Sequence, residues 1–250
     1  MFKKVYSLFI YLVLLFVLIA CASTEQTGVA YGITYKDYVG VATVRVKNEE
    51  VVAANFEEYF LPNTWAEVKK TDISVPDDVI LSSDSWYGKY LVIGNLNFTG
   101  ILREEPLIID GFTYTNQSIK YSSEGIDDLF VWIKSSQENM KWYVEALDAG
   151  NVYVAKADFS KHNYETAGLV NNNGVLAFTK STTDYWSGWA GNMDEIAKAI
   201  KGSKMGVLAA NITQKDGKWV IDGIESGATN VAFKEYYAIA QLAYDIAITK

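Results

Sequence analysis

The sequence predicts an α+β fold in which antiparallel hairpins pack against a few helices. Val39–Val46 and Val51–Phe60 are strand-like apolar runs separated by the polar turn Lys47–Glu50, which predicts an antiparallel hairpin. Glu124–Leu147 carries apolar residues at helical spacing. In Asp222–Ala247, a short run of small residues precedes a final helix whose apolar positions recur every three to four residues. Strands and helices are therefore both expected in one domain.

The remaining segments extend this pattern of short strands and helices. Asn192–Lys201 has acidic residues in its first turn and a glycine after its end, which predicts a helix. Met205–Ile212 and Trp219–Ile221, separated by the turn Lys215–Lys218, predict a second hairpin. Leu61–Trp65 is predicted to be a loop. Further strands are predicted over Tyr90–Ile101, Ser118–Ser122, Val152–Ala157 and Val175–Thr179.

The first 20 residues predict a lipoprotein signal peptide. Lys3 and Lys4 form a positive amino-terminal region, and an almost wholly apolar stretch follows. It ends in Leu18-Ile19-Ala20-Cys21, which resembles the bacterial lipobox. That resemblance implies that Cys21 is lipidated and becomes the first residue, that residues 21–29 are a tether, and that residues 30–250 form a single domain. The protein would then be held at the cell membrane by its lipid, facing outside the cytoplasm.

Composition excludes several classes of function. Cys21 is the only cysteine of the chain, so a lipidated protein has no disulfide and no thiolate metal site, and no metal ligands are assigned. The whole chain has a net charge of −8; without Lys3 and Lys4, 20 basic residues oppose 30 acidic ones. Such a negative protein is a poor partner for nucleic acid or for anionic lipid.

Ser226-Gly227-Ala228-Thr229 is the candidate functional segment, and two interpretations are open. The side-chain oxygen of Thr229 or Asn230 can cap the final helix by accepting bonds from its first N–H groups. The same N–H groups and the helix dipole can instead hold a phosphate. A short run of small residues does not by itself distinguish a cap from a phosphate site.

Four passages together resemble the FMN-binding domain family, which includes flavin subunits of respiratory complexes and lipoproteins of extracellular electron transfer. The first hairpin is similar to the opening hairpin of the family, and Leu61–Trp65 stands where its first flavin-side loop lies. Tyr185–Asn192 leads into a short helix as in the lipoprotein branch. Asp222 followed by Ser226–Thr229 is similar to the flavinylation motif, with three intervening residues where the family usually has two, so Glu225 is an alternative to Asp222.

The resemblance implies covalently bound FMN. In the family, a flavin transferase esterifies the FMN phosphate to the last hydroxyl of the motif, which here is Thr229. Ser226, Gly227, Ala228 and Asp222 would complete the cofactor-binding segment, and the following helix start would stabilise the phosphodiester charge. The implied function is that of an electron carrier, from a quinone-linked membrane donor to an extracellular acceptor, without catalytic residues for a substrate of its own.

Other residues allow a second hypothesis, a non-catalytic surface lipoprotein that binds glycan or peptide. The chain has 17 tyrosines and 7 tryptophans, which suit such ligands. Trp186 and Trp189 could be core anchors, a sugar platform or stacking partners for a flavin ring. His162, the only histidine, lies in a polar segment and is predicted to face solvent.

Overall fold

The computed structural model describes residues 24–36, 38–70, 73–164, 188–206 and 211–250, and it confirms the α+β class. The described helices are α1 (Pro62–Trp65), α2 (Leu129–Lys134), α3 (Gln137–Asp148), α4 (Gly188–Ile200) and α5 (Phe233–Ile248), with a 3₁₀ turn at Pro76–Asp78. The first eight described strands are β1 (Gln26–Thr34), β2 (Tyr38–Lys47), β3 (Glu50–Phe60), β4 (Glu67–Val68), β5 (Val79–Ser82), β6 (Ser85–Gly88), β7 (Tyr90–Ile93) and β8 (Leu96–Leu102). The others are β9 (Leu107–Ile109), β10 (Phe112–Tyr114), β11 (Ile119–Ser122), β12 (Val152–Ala155), β13 (Ile212–Lys215), β14 (Lys218–Ile221) and β15 (Ile224–Glu225).

The central layer is the antiparallel sheet β1-β2-β3. The predicted hairpin is its β2–β3 pair, with Val44 opposite Ala54. Both faces of this sheet are covered: Val39 and Val41 belong to one buried cluster, whereas Ala42 and Val44 belong to another. A strand that is buried on both faces loses the alternation of apolar and polar residues, which explains the apolar run in β2.

Helix α5 packs closely on the outer strand β1, because both surfaces are formed by small residues. A Cβ atom built on Gly28 would lie 1.8 Å from the carbonyl oxygen of Ala243. Ala243 and Ala247 are fully buried. The tether predicted over residues 21–29 is corrected at residues 26–29, since Gln26–Thr34 is a strand of the central sheet; residues 21–23 lie outside the described residues. A tether was predicted because Ser23–Val29 is polar and lacks a hydrophobic run, but β1 is an outer strand and buries only part of its residues.

On the opposite side of the central sheet lie the four-stranded sheet β11-β8-β7-β12 and helices α2 and α3. The single helix predicted over Glu124–Leu147 is two helices. Asp128 caps α2 by accepting bonds from two backbone N–H groups, and Ser136 caps α3 by accepting one from Asn139. A capping residue takes extended backbone angles, so a second cap interrupts the helix even where the apolar spacing continues.

Three smaller predictions also differ from the structure. The strand predicted over Tyr90–Ile101 is the hairpin β7–β8, which turns at Gly94 with a positive φ. The loop predicted over Leu61–Trp65 contains the short helix α1, which has a proline at its start. In the second hairpin, Met205 lies outside any strand, and β13 begins at Ile212.

Several predictions lie outside the described residues. They are the signal peptide over residues 1–20, Cys21, the strand over Val175–Thr179, Trp186, and residues 207–210 of the strand predicted over Met205–Ile212. Among the residues that the structure describes, no helix has the length and apolarity needed to cross a membrane.

Candidate functional site

A small antiparallel sheet, β13-β14-β15, leads the chain into the Ser226–Thr229 segment. Asp222 and Gly223 form the two-residue turn between β14 and β15, both with positive φ, as expected of a tight hairpin. Asp222 is exposed at the tip of this turn, whereas Ser226 lies at its base, where its N–H donates to the carbonyl of Trp219. The structure therefore gives Asp222 a role in the turn and does not bring it next to the other four residues of the motif.

Burial alternates along the segment from Ser226 to Asn230. Ser226, Ala228 and Asn230 are buried, whereas Gly227 and Thr229 are partly exposed. The Ser226 hydroxyl donates to the Trp219 carbonyl at 2.8 Å and accepts from the Ala228 N–H at 3.1 Å. Ser226 thus holds the loop closed, and Thr229 is the more exposed of the two hydroxyl residues of the segment.

Asn192, on α4, fixes the backbone at Thr229. Its Oδ1 accepts hydrogen bonds from the backbone N–H groups of Thr229 at 2.7 Å and of Asn230 at 2.9 Å. The Thr229 hydroxyl lies farther from the same oxygen, at 3.4 Å, which is a long separation for an O–H donor. The backbone of Thr229 is therefore held firmly, while its hydroxyl is bonded only weakly.

Asn192 was not among the predicted site residues, although its position on the apolar face of a helix was a signal in the sequence. Trp189, Met193, Ile196 and Ile200 form the buried face of α4, and Asn192 is a buried polar residue among them. A polar side chain on the apolar face of an amphipathic helix needs hydrogen-bond partners. Its partners are 37 and 38 residues away in the chain, so they could not be identified without the structure.

Trp219 packs beneath the loop, and besides accepting from Ser226 it donates two hydrogen bonds to the loop. Its backbone N–H donates to the carbonyl of Ala228, and its indole Nε1 donates to the carbonyl of Asn230 at 2.6 Å. The indole ring stacks on Phe233 in the first turn of α5, with the ring centroids 5.2 Å apart. The hairpin, the loop and the final helix are therefore joined through one aromatic side chain.

Two features of the loop require a glycine at position 227, namely a positive φ and a close contact with Glu195. The φ of Gly227 is +77°, a conformation that residues with a Cβ rarely adopt. A Cβ at this position would lie 2.5 Å from Oε2 of Glu195, whose carboxylate forms an ion pair with Lys198 on α4. The loop thus approaches α4 at both Asn192 and Glu195.

The structure corrects the predicted helix cap. Helix α5 begins at Phe233, and its N-cap residue Ala232 makes no side-chain cap bond. Oδ1 of Asn230 accepts from the Ala232 N–H at 2.8 Å, so it closes the turn before the helix. Thr229 is separated from the helix by three residues, and its own N–H is bonded to Asn192. The helix start is therefore not the group that would face a phosphate on Thr229.

Tyr35 links the loop to the central sheet. Its hydroxyl donates to Oδ1 of Asn230, and its backbone N–H donates to a carboxylate oxygen of Glu235 at 2.9 Å. Burial, with a further contribution from the negative charge of Glu58, raises the pKa of Tyr35 to about 12. Tyr35 is therefore a neutral hydrogen-bond donor at physiological pH.

A buried polar cluster lies on the same side of the central sheet. Oε1 of Glu58 accepts from the hydroxyls of Thr34 and Tyr236, and the Tyr236 hydroxyl accepts from Nε1 of Trp189 at 3.0 Å. Burial, followed by the charge of Glu58, raises the pKa of Tyr236. Trp189 is 9% exposed, so of the three interpretations of this residue the structure supports the core anchor.

His162 is buried, contrary to the prediction that it faces solvent. It is 8% exposed and stacks on Tyr164 with the ring centroids 3.3 Å apart. Its Nε2 lies 3.9 Å from a carboxylate oxygen of Asp78, and neither ring nitrogen has a hydrogen-bond partner within the described part of the chain. Burial lowers the pKa of His162, although the charge of Asp78 opposes this. The polar neighbours in the sequence misled the prediction because the following tyrosine covers the ring.

The chemistry that this arrangement offers is attachment at an oxygen. Thr229 is partly exposed, its hydroxyl bonds only weakly to Asn192, and Asn192 holds its backbone. Across the described ranges, no group of three or more His, Cys, Asp or Glu residues is arranged to hold a metal ion.

The chain was compared with protein-family models, curated proteins and solved structures, and none of the three comparisons found a match.

Proposed function

We propose that this protein carries FMN, joined through its phosphate to Oγ1 of Thr229, and that it serves as an electron carrier at the outer face of the cell membrane. Electrons would come from a quinone-linked membrane donor and pass to an extracellular acceptor. The lipid on Cys21 would hold the protein at the membrane, and a flavin transferase would attach the cofactor.

One observation carries the proposal: the loop contains two hydroxyl residues, and their environments differ. Ser226 is 4% exposed, and its hydroxyl oxygen is already engaged in two hydrogen bonds within the loop. Thr229 is partly exposed, and within the described part of the chain its hydroxyl makes a single long contact, with Asn192. A transferase needs an accessible, reactive oxygen, and the resemblance to the flavinylation motif places the acceptor at the same residue.

The attachment step exchanges one phosphorus–oxygen bond for another. Oγ1 of Thr229 would attack the phosphorus of an activated FMN donor, and the phosphoanhydride bond of that donor would break as its nucleotide leaves. The hydroxyl proton would pass to a base of the transferase. The firm hold of Asn192 on the Thr229 backbone keeps the oxygen in place.

Bound FMN supplies reversible acceptance and release of electrons, and the protein supplies its position. The phosphodiester charge would have to be tolerated without the N–H groups of Thr229 and Asn230, because Asn192 already occupies both. Glu195, the residue that Gly227 approaches, forms an ion pair with Lys198 on α4. The negative charge of Glu195 is therefore already balanced by that lysine. A covalent bond suits an exported carrier, since a cofactor held only by affinity is lost on dilution.

The test is the intact mass of the mature protein after co-expression with a flavin transferase. The wild type and Thr229→Ser are expected to gain the mass of one FMN less one water and to show a flavin absorption spectrum. Thr229→Ala should gain neither, because it lacks the hydroxyl. Ser226→Ala should still be labelled, because its buried oxygen is not the acceptor.

Peptide mapping of the labelled protein must then place the flavin on the peptide that contains Thr229. Flavin on the Thr229→Ala protein, or an unmodified wild type in cells where the transferase labels a known substrate, would contradict the proposal.

A further inference from the structure

A polar cleft of about 330 Å³ lies apart from the Thr229 loop, between the start of β2, helix α1, the β4-β6-β5 sheet and the segment before β11. Its volume is at the lower end of the ~300–1,000 Å³ that is typical of small-molecule sites. All eleven lining side chains carry a hydroxyl, an amide or a carboxylate, and none is basic or purely aliphatic. Small-molecule pockets are usually mainly apolar, so this lining indicates a ligand of a particular chemistry.

The floor of the cleft is rigid. Asn63, on α1, is 6% exposed and bonds to the neighbouring strand in both directions. Its Nδ2 donates to the Ile119 carbonyl at 2.9 Å, and its Oδ1 accepts from the Ile119 N–H at 2.8 Å. Nδ2 also donates to Oε1 of Gln117 at 3.1 Å. Side chains that are held in this way need no further ordering when a ligand binds.

A buried donor beside this floor lacks an acceptor. Gln117 is 1% exposed, and its Nε2 has no hydrogen-bond partner within the residues that the structure describes. Buried polar groups are nearly always bonded, to protein, to water or to a ligand. Gln117 does not itself line the cleft, but its Nε2 leaves a donor without an acceptor directly beneath the Asn63 floor.

One wall contains the only charged group of the lining. Glu67 accepts from the Ser85 hydroxyl at 2.8 Å. Burial raises the pKa of the adjacent Tyr87, and the charge of Glu67 raises it further, so the Tyr87 hydroxyl stays protonated close to the carboxylate. Thr64 and Tyr38 line the same cleft. The wall therefore offers acceptors and donors within a few ångströms of each other.

Each candidate ligand class can be compared with this lining. An anion would meet a carboxylate and no basic group. A flat apolar ring would meet hydroxyls and amides in place of an apolar wall. A neutral polyhydroxylated molecule can both donate to Glu67 and Asn or Ser oxygens and accept from hydroxyls and amides, and its C–H faces can lie on tyrosine rings.

We propose that this cleft binds a neutral saccharide of one or two rings, with Glu67 as a hydrogen-bond acceptor for sugar hydroxyls. The site is independent of flavin attachment, because it shares no residue with the Thr229 loop. It gives the protein a means of contacting glycan at the cell surface, whatever group Thr229 carries.

The test is a titration of isotopically labelled, flavin-free protein with glucose, galactose, N-acetylglucosamine and maltose, followed by amide NMR. Saturable shifts are expected at residues 63–67, 82–87 and 115–118 with at least one of these sugars. Glu67→Gln and Thr64→Val should each weaken binding about tenfold, because the first replaces a charged acceptor oxygen by a donor NH₂ and the second removes a hydroxyl. Thr213→Val, an exposed hydroxyl on β13, is the matched control and should bind as the wild type does.

Amide spectra also report directly whether each variant is folded, so loss of binding can be separated from loss of structure. The proposal is overturned if no sugar gives saturable shifts at the cleft, or if Glu67→Gln and Thr64→Val bind as tightly as Thr213→Val. Binding of tetramethylammonium at the cleft in place of all four sugars would also overturn it, because Glu67 would then serve a cation.

Discussion

Asn192 and Thr229 are joined by a hydrogen bond of 2.7 Å between Oδ1 of the one and the backbone nitrogen of the other. The same oxygen accepts from Asn230 at 2.9 Å, so one buried side chain on α4 satisfies two successive N–H groups of the candidate loop. The loop conformation is thereby set by a helix that lies about forty residues earlier in the chain rather than by the helix that follows it.

Removing this side chain is expected to destabilise the protein and to impair flavin attachment. Asn192→Ala leaves two N–H groups without their acceptor, which should lower the free energy of unfolding by about 2–4 kcal/mol. Asn192→Asp keeps an acceptor oxygen and should lower it less. Urea denaturation measures both, and the labelled fraction with flavin transferase should follow the same order. Equal stability of the wild type and Asn192→Ala would show that the Asn192 bonds do not hold the loop.

Gly227→Ala separates backbone strain from steric contact. The positive φ should cost about 1–2 kcal/mol with any L side chain, and the contact with Glu195 adds to it. In a double variant with Glu195→Ala, the contact is gone and only the strain remains. Thermal and urea unfolding of the two single variants and the double variant give the coupling free energy between positions 227 and 195. Purely additive effects would mean that the Glu195 side chain simply moves aside.

Gly28→Ala tests the close packing of α5 on β1. Its new methyl group would meet the backbone oxygen of Ala243, which cannot move without displacing the helix, so a loss of about 3 kcal/mol or more is expected. Gly206→Ala is the matched control, since a Cβ there has no neighbour within 4 Å among the residues that the structure describes. The control should change the free energy of unfolding by less than about 0.5 kcal/mol. A similar loss in both variants would argue against the helix–strand contact.

His162 is expected to make the stability depend on pH. Its pKa is lower in the folded protein than in the unfolded chain, so the unfolded chain binds the proton more readily. This contribution is absent above an unfolded-state pKa of about 6.5 and destabilises the protein as the pH falls below it. Two other groups face the ring, and they oppose each other: Asp78 raises the pKa and Lys156 lowers it.

His162→Phe keeps a ring to stack on Tyr164 and cannot be protonated. Chemical denaturation at about pH 7.5 and about pH 5 should show a smaller loss of stability on acidification for this variant than for the wild type, given the ordinary histidine pKa. An identical pH dependence of the two proteins would contradict the prediction, because it would mean that burial of the His162 ring does not change its pKa on folding.

The sequence pattern was most informative where structure depends on near neighbours. The hairpin β2–β3 and the turn at Asp216-Gly217 follow from residues that are adjacent in the chain, and both were predicted. The final helix was recognised because its apolar residues recur at helical spacing. The two-helix break at Ser135 and Ser136 was missed, because apolar spacing continues across a cap that only two hydroxyl residues mark.

Only part of the candidate site could be predicted from the sequence. Ser226–Thr229 was identified from the motif alone, but the exposure that separates Thr229 from Ser226 depends on Trp219 and Asn192. The burial of His162 depends on Tyr164 and Asp78, of which the second is 84 residues away. The polar cleft was not foreseen, since its lining comes from four separate segments, none with a distinctive pattern.

By itself, therefore, the sequence determined the α+β class, the main hairpin and the final helix, and it marked the four-residue segment that is proposed to carry the modified hydroxyl. These depend on hydrogen bonds and side-chain periodicity within a few residues. Only the tertiary structure decided which hydroxyl is accessible, which side chain holds the loop, and where a polar cleft forms. Each of these depends on the burial of one segment by another, and burial is a property of the packed chain rather than of any stretch of it.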